Sequence, residues 1–253
     1  FSPDLHCWNS MDIAVIGGGL AGLSFAASIF KEDVQRARVV VFERCPELDS
    51  GPLQHLRLKP PGEEALKCLG FLTRDGQKLE EVERIQLLRW LANRLPEGVL
   101  RFGKALTGLR QDDQRLFCVV DSCWEGPFDL LVAADGLRST VRQSCVAGPA
   151  ADLSRIFLLG DARRGFRRER DFGFSRIYEG GNQALLEGVR FADEILRCSN
   201  REALSNAGPA AYSLSSNMSI AERMWHCSKR CRSSDDSDGH GAKRRKIAAR
   251  MVP

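Results

Sequence analysis

The sequence contains no uninterrupted apolar run approaching the roughly 20 residues that a membrane-spanning helix requires, and no signal-peptide pattern, so a membrane or secreted protein is not expected. Its nine cysteines form no C-x-x-C pair, which favours reduced thiols and a cytoplasmic location, with a nuclear one as the alternative. The four histidines are scattered and suggest no Ser-His-Asp arrangement. One potential zinc cluster, His226-Cys227-x-x-x-Cys231, has poor spacing, so no metal site is predicted.

The formal net charge of +4 belongs to the end of the chain. Residues 229–253 contain eight lysines and arginines against three aspartates, and the rest is nearly neutral. This stretch has too little apolar surface to fold, so we expect a disordered tail. Its basic cluster at 243–246 suits nucleic acid or an import receptor, with a solvated terminus as the alternative. We expect these divisions: 1–10, an N-terminal extension; 11–200, the main domain; 201–228, a helical segment; 229–253, the tail.

The most informative stretch is a glycine-rich turn near the start of the chain. The apolar run 13–16 leads into Gly17-Gly18-Gly19 and then into an Ala-rich apolar segment, 20–30, which predicts strand, turn and helix. In the spacing Gly17-x-Gly19-x-x-Gly22, the first glycine allows the turn, the second leaves room for a pyrophosphate, and the third permits close packing of the helix. Amides at the helix start attract phosphates. The pattern predicts a dinucleotide site, with a purely structural turn as the alternative.

Three carboxylates follow apolar runs that are typical of buried strands. They are Glu43 after 38–42, Asp135 after 129–134, and Asp161, with Gly160, after 155–159. Glu43 stands 21 positions after Gly22, a spacing at which a carboxylate accepts hydrogen bonds from adenosine ribose. A solvated strand-end charge is the alternative for Glu43. Because ligands bind at the carboxyl ends of parallel strands, three such junctions predict one extended ligand.

The other segments predict an α/β fold with a parallel sheet. Helices are expected at 62–70, 79–95, from 137 onward, and at 183–196. Short strands at 99–102, 105–110, 116–121 and 128–133 follow one another without a helix between them, which indicates a small antiparallel excursion. The second helix contains Arg84, which faces either a nucleotide or solvent. The helix from 137 would carry Arg138 and Arg142 on one face.

A second glycine pair, Gly180-Gly181, stands with Asn182 directly before the predicted helix 183–196. Amides in such a position can face a ligand oxygen or a ring edge. An ordinary helix cap is the alternative, because asparagine is a favoured N-cap residue.

Taken together, these motifs resemble the class A flavoprotein monooxygenases of the para-hydroxybenzoate hydroxylase type. The resemblance rests on four motifs in the family's order: Gly17-x-Gly19-x-x-Gly22 with Glu43; Asp135-Gly136-Leu137-Arg138-Ser139-x-Val141-Arg142; Gly160-Asp161-Ala162; and Gly180-Gly181-Asn182-x-Ala184-Leu185. The stretch 51–70 is similar to another conserved segment of the family, and Arg84 matches an arginine that the family places against the flavin nucleotide.

The resemblance implies a Rossmann-like FAD-binding fold. Gly17, Gly19 and Gly22 would hold the pyrophosphate, Glu43 the adenosine ribose, and Asp161 the ribityl or pyrophosphate region. Gly180, Gly181 and Asn182 would line the isoalloxazine ring, and Arg44, Arg84, Asp135 and Gly160 complete the expected cofactor site. In the family, NADPH or NADH reduces the flavin, and one atom of O2 passes to a small aromatic or electron-rich organic substrate. No side-chain nucleophile is expected, because the flavin supplies the oxygen chemistry.

The sequence departs from the family at two places. Only 26 positions separate Asp135 from Asp161, so the substrate domain is expected to be largely missing, with the reduction around 143–155. Arg163-Arg164-Gly165-Phe166 replaces the family's His-Pro after the third motif. We therefore expect an FAD-dependent oxidoreductase, and a monooxygenase in particular. The alternatives are a flavin-binding remnant that acts through a partner and an NAD-linked dehydrogenase, since Glu43 also suits NAD.

Overall fold

The computed structural model describes residues 11–31, 37–48, 55–71, 80–111, 115–147, 155–164 and 175–198. The expected extension 1–10, the segment 201–228, the tail 229–253 and its basic cluster lie outside the described residues. The strands are β1 Met11–Ile16, β2 Ala37–Phe42, β3 His55–Arg57, β4 Glu81–Glu83, β5 Leu100–Arg101, β6 Leu106–Gln111, β7 Leu116–Val120, β8 Cys123–Phe128, β9 Leu130–Ala133 and β10 Ile156–Leu158. The helices are α1 Leu20–Lys31, α2 Pro60–Leu69, α3 Arg84–Ala92, α4 Thr140–Ala147, α5 Asp161–Arg164 and α6 Ser175–Cys198.

A five-stranded parallel sheet forms the centre of the fold, in the order β10-β9-β1-β2-β5. Strand β1 lies in the middle and is covered on both faces, with Ile13, Ala14 and Val15 fully buried. This explains why residues 13–16 are continuously apolar instead of alternating. The predicted α/β class with a parallel sheet is confirmed.

Different layers cover the two faces of the parallel sheet. On one face, side chains such as Val15 and Val132 pack in a cluster with residues of α1, α2, α3 and α6. On the other face, Ile16 and Ala133 pack with Cys118 and other side chains of β7 and β8. Strands β6, β7 and β8 form an antiparallel sheet, and β3 and β4 form a second, two-stranded one. The predicted antiparallel excursion is thus confirmed, as the layer that covers the second face.

Several strand predictions need correction. The segment 128–133, predicted as one strand, is the end of β8 followed by β9, and residues 125–127, which lie between two predicted strands, belong to β8. Most residues of β8 are exposed, so this strand has none of the apolar pattern that identifies a buried strand. The strand predicted at 99–102 is β5, which pairs in parallel with β2 and does not join the antiparallel group. The short β3 and β4 were not predicted.

The starts of three helices differ from prediction by three residues or more. Helix α3 begins at Arg84 because β4 occupies the residues before it. Helix α4 begins at Thr140, since Ser139 Oγ accepts a hydrogen bond from Arg142 N at 3.0 Å and caps the helix there. Arg138 therefore precedes α4 and shares no helix face with Arg142. Helix α6 begins at Ser175, eight residues before the predicted start.

Within the described ranges, none of the helices combines the length and apolarity needed to cross a membrane. The same ranges contain no group of three or more histidine, cysteine, aspartate or glutamate side chains that could hold a metal ion. The cysteine and histidine cluster at 226–231 lies outside them.

Candidate nucleotide site

The glycine turn lies between two of the predicted carboxylates. Strands β9, β1 and β2 are adjacent and parallel, so Asp135, the glycine turn and Glu43 follow their carboxyl ends at one edge of the sheet. Strand β10 lies beside β9 and brings Gly160 and Asp161 to the same edge. The structure therefore brings together the three strand-to-carboxylate junctions around the end of β1. This edge is where open α/β sheets bind ligands.

Each glycine of the motif has a different environment. Gly17 has a φ of 108°, and a Cβ there would overlap the backbone of Ala134, with the carbonyl carbon at 2.8 Å. A Cβ on Gly22 would overlap the carbonyl oxygen of Gly17, so α1 approaches the turn at backbone contact. At Gly19, by contrast, a Cβ would meet no atom within 4 Å. The first and third glycines are thus required by packing within the protein, and the second borders open space.

Glu43 is oriented towards the glycine turn by two backbone amides. Gly18 N donates to Glu43 Oε2 at 2.6 Å, and Cys45 N donates to Glu43 Oε1 at 2.9 Å. The carboxylate is half-buried, and each oxygen retains lone-pair capacity for a further donor. Glu43 is therefore held at the turn, where it can accept hydrogen bonds from ligand hydroxyls.

On the other side of the turn, Asp135 connects β9 to α4. Its Oδ2 accepts a hydrogen bond from Val141 N at 3.2 Å, whereas Oδ1 is buried without a hydrogen-bond partner among the described residues. Buried carboxylate oxygens nearly always have a donor, so Oδ1 is suited to a donor from a bound molecule. Arg142 donates to Leu137 O at 2.5 Å and also to Ala162 O, which ties the Asp135 loop to the start of α5.

The junction after β10 is held from the side of α6. Gly160 has a φ of 57°, and its amide donates to Glu187 Oε2 at 2.7 Å. Glu187 is 6% exposed, and its Oε1 lies 4.0 Å from Arg163 Nη2. Asp161, the first residue of α5, is half-buried. Glu187 was missed from the sequence, although an acidic residue among the apolar positions of an amphipathic helix was an available signal.

The segment 180–182 lies inside α6, which corrects the expectation that it precedes a helix. Gly181 packs against side chains, because a Cβ there would come within 2.8 Å of Leu56 Cδ1. Asn182 is 1% exposed; its Nδ2 donates to Arg57 O at 2.9 Å and its Oδ1 accepts from Lys59 N at 3.0 Å. Asn182 therefore does not cap α6. It holds the chain between β3 and α2.

Three predicted cofactor-site residues remain: two arginines and one glycine. Arg44 is exposed and directly follows Glu43, and Arg84 is half-buried at the first position of α3. Gly180, the remaining predicted site residue, is half-buried within α6.

No family model matches the chain. Among curated proteins, salicylate hydroxylase of Pseudomonas putida is 25% identical over 178 residues, which cover 56% of this chain and 40% of that enzyme. The FAD-dependent monooxygenase pigN of Monascus ruber is 27% identical over 172 residues, which cover 53% of this chain and 39% of that protein. Over these stretches the chain is similar to FAD-dependent monooxygenases. This confirms the resemblance seen in the motifs, and the chain spans about two fifths of the length of these relatives.

One solved structure has a similar fold. The Klebsiella pneumoniae protein HpxO, in complex with FAD and uric acid, superposes with a TM-score of 0.57 at 17% identity. The match covers 79% of this chain and 85% of that one. It confirms the predicted FAD-binding type of α/β architecture.

Proposed function

We propose that the chain binds FAD along the carboxyl edge of the parallel sheet and acts as an NAD(P)H-dependent monooxygenase of a small aromatic or electron-rich organic substrate. The observation that carries the proposal is the open space at Gly19. The turn that contains Gly19 lies between Glu43, which follows β2, and Asp135, which follows β9. The names of the relatives and the FAD-containing fold neighbour support the same cofactor.

The residues present fit the adenosine and diphosphate part of FAD. Gly19 lets a pyrophosphate approach the amides at the start of α1, whose dipole favours negative charge. Gly17 and Gly22 shape that approach by allowing close backbone packing. Carboxylates repel phosphate but accept hydrogen bonds from hydroxyls, so Glu43 suits the adenosine ribose. Arg44, next to Glu43, and Arg84 are the proposed cationic neighbours of the nucleotide.

Hydroxyl groups of the cofactor would also reach the other two junctions. Asp135 Oδ1, buried without a partner among the described residues, can accept from such a hydroxyl. Gly160 and Asp161 are proposed to face the ribityl or pyrophosphate region, because they lie beyond Asp135 on the neighbouring strand.

For the isoalloxazine end, the proposed neighbours remain Gly180, Gly181 and Asn182. Asn182 is buried and holds the backbone of Arg57 and Lys59, whose side chains line a surface groove together with Pro60, Glu63 and Glu80. In this arrangement α6 supports the segment nearest to the ring instead of presenting free amides to it.

When bound, the flavin would supply electron acceptance from NADPH or NADH and the activation of O2. The residues of this chain bind and orient the cofactor. A second candidate, flavin binding without turnover, is favoured by the short connection of 26 positions between Asp135 and Asp161. An NAD-linked dehydrogenase is less favoured, because a simple dinucleotide site does not need the junction after β10.

The visible spectrum of the purified protein tests FAD binding. We expect flavin absorption bands, with one FAD per chain after reconstitution; a colourless protein that takes up no FAD would contradict the proposal. Oxidation of NADPH or NADH in air, stimulated by a phenolic substrate, separates a monooxygenase from a flavin-binding protein without turnover.

Substitutions at Glu43 test the ribose contact. Glu43→Ala removes an acceptor for ribose and should weaken FAD binding about tenfold, since hydrogen bonds to charged groups contribute about 1.5–3 kcal/mol. Glu43→Gln keeps one carbonyl oxygen and should lose less affinity. The control is Glu47→Ala, an exposed carboxylate on the same loop, which should bind FAD as the wild type does. Equal affinities for all of these proteins would show that the ribose lies elsewhere.

A further inference from the structure

Glu187 is a buried carboxylate that none of the cofactor motifs includes. It lies in α6, is 6% exposed, and accepts a hydrogen bond from Gly160 N at 2.7 Å. Arg163 Nη2 lies 4.0 Å from its other oxygen. A carboxylate is costly to bury unless donors or cations compensate it, so this position calls for a reason beyond packing.

The atom that Glu187 holds belongs to the turn in front of Asp161. Gly160 has a left-handed φ of 57° and little space around it: a Cβ there would lie 3.2 Å from Ala21 Cβ and 3.3 Å from Ala184 Cβ. The turn is therefore enclosed by α1 on one side and by α6 on the other. Its amide has a fixed direction, towards Glu187, and the direction of Asp161 follows from it.

Helix α6 is itself fixed against the helix that starts at the glycine turn. A Cβ on Gly188, the residue after Glu187, would overlap Ser24 Oγ and lie 2.5 Å from Ala21 O. Since the two helices meet at backbone contact, α6 cannot slide along α1 without a clash. The Glu187 carboxylate consequently has a defined distance from the start of α1, where the pyrophosphate is proposed to bind.

We propose that Glu187 is a positioning residue for the cofactor site: by accepting the Gly160 amide hydrogen, it fixes the turn that presents Asp161. The inference rests on the proposed FAD function and adds to it a group that acts through the β10–α5 turn. The feature that matters is the acceptor oxygen, and the negative charge is secondary. A glutamine, which keeps an oxygen, should therefore replace Glu187 well, and a leucine, which keeps only volume, should not.

The test compares Glu187→Gln and Glu187→Leu with the wild type, and uses Glu194→Gln as the control. Glu194 lies on α6 about two turns further along and is partly buried. Three quantities are measured: the Kd for FAD by fluorescence titration, the Tm without FAD, and hydrogen exchange of the backbone amides at 160–161 in the FAD-free protein. Exchange reports on the turn itself, whether or not FAD binds.

We expect Glu187→Leu to raise the Kd about tenfold and to speed exchange at Gly160, because its amide is left without an acceptor. The Kd values of Glu187→Gln and Glu194→Gln should remain within about threefold of the wild-type Kd. The loss of a hydrogen bond to a charged group would change the Kd by more than this, about tenfold or more. If Glu187→Leu lowers only the Tm, or if Gln and Leu weaken binding equally, the positioning role is overturned. Wild-type exchange at Gly160 in Glu187→Leu would overturn it as well. A wild type that binds no FAD contradicts the proposed function separately.

Discussion

The same substitution, glycine to alanine, should affect different properties at Gly19 and at Gly22. In the FAD-free protein, the methyl group of Gly19→Ala enters space with no atom within 4 Å. The same methyl group at Gly22 would overlap Gly17 O and lie 3.2 Å from Val15 Cγ1. One substitution should therefore affect only ligand binding, and the other should affect folding.

The magnitudes follow from the positions of the two glycines in α1. Gly19 precedes the helix, and its carbonyl accepts from Leu23 N at 2.9 Å, as in an N-cap. Alanine is a poorer N-cap by about 1 kcal/mol, but it reduces the entropy of the unfolded chain by a similar amount, so the stability should change by less than about 1 kcal/mol. At Gly22, alanine gains about 1 kcal/mol of helix propensity and loses about 3 kcal/mol through overpacking against backbone. The Tm should then fall by about 4–8 °C.

Although Gly19→Ala should hardly change the stability, it should weaken the binding of FAD. A methyl group there keeps the pyrophosphate from the amides of α1, and each lost charge-assisted hydrogen bond is worth about 1.5–3 kcal/mol. The Kd for FAD should rise about 10-fold to 100-fold. The assays are thermal unfolding by circular dichroism without FAD and titration of flavin fluorescence.

Two results would refute this reasoning. If Gly19→Ala binds FAD within twofold of the wild type, the open space at Gly19 does not receive the pyrophosphate. If Gly22→Ala keeps the wild-type Tm, the close approach of α1 to Gly17 is wrong. The two glycines thus test the ligand and the protein packing independently.

The remaining predictions concern two buried side chains. Asn182→Ala leaves Arg57 O and Lys59 N without their side-chain partner and should lower the free energy of unfolding, measured by urea denaturation, by about 2–4 kcal/mol. Asn182→Asp places an oxygen against Arg57 O, so its free energy of unfolding should also lie below that of the wild type. Burial raises the pKa of the Cys118 thiol to about 12, so Cys118 should resist a thiol reagent at pH 8 while the exposed Cys68 and Cys123 react. Because this pKa is raised in the folded state, the contribution of Cys118 to stability is complete below the unfolded pKa near 9 and is lost as the pH rises towards 12. Cys118→Val should remove that part of the pH dependence of the Tm. An unchanged pH dependence would contradict the burial argument.

Local signals made the first part of the site predictable. The run before Gly17 is apolar throughout because β1 is covered on both faces, and Gly22 follows from a contact with Gly17 O, five residues before it. Glu43 and Asp135 could be placed for the same reason, since each directly follows a buried strand. Neighbouring parallel strands align their carboxyl ends. The proximity of these junctions could therefore be predicted from the strand order alone.

Other features depend on partners that are remote in the sequence. The donor to Glu187 is 27 positions away, and the groups that Asn182 binds are about 125 positions away, so no local pattern identifies these partners. The start of α6 was misplaced because glycines ordinarily interrupt helices. Gly181 is tolerated here because Leu56 and Leu20 occupy the space where a side chain would stand.

These distant contacts all come from one helix. Asn182, Glu187 and Gly188 lie within seven positions of α6, about 9 Å along its axis, and each fixes a different element: the β3–α2 segment, the β10–α5 turn and α1. Glu43 and the glycine turn, in contrast, are held by amides and backbone contacts close to them. A displacement of α6 should therefore reach the ribityl and ring end of the proposed cofactor site before it reaches the ribose of the adenosine. For this reason, substitutions in α6 and at Glu43 are expected to weaken FAD binding in separable ways, with nearly additive effects when they are combined.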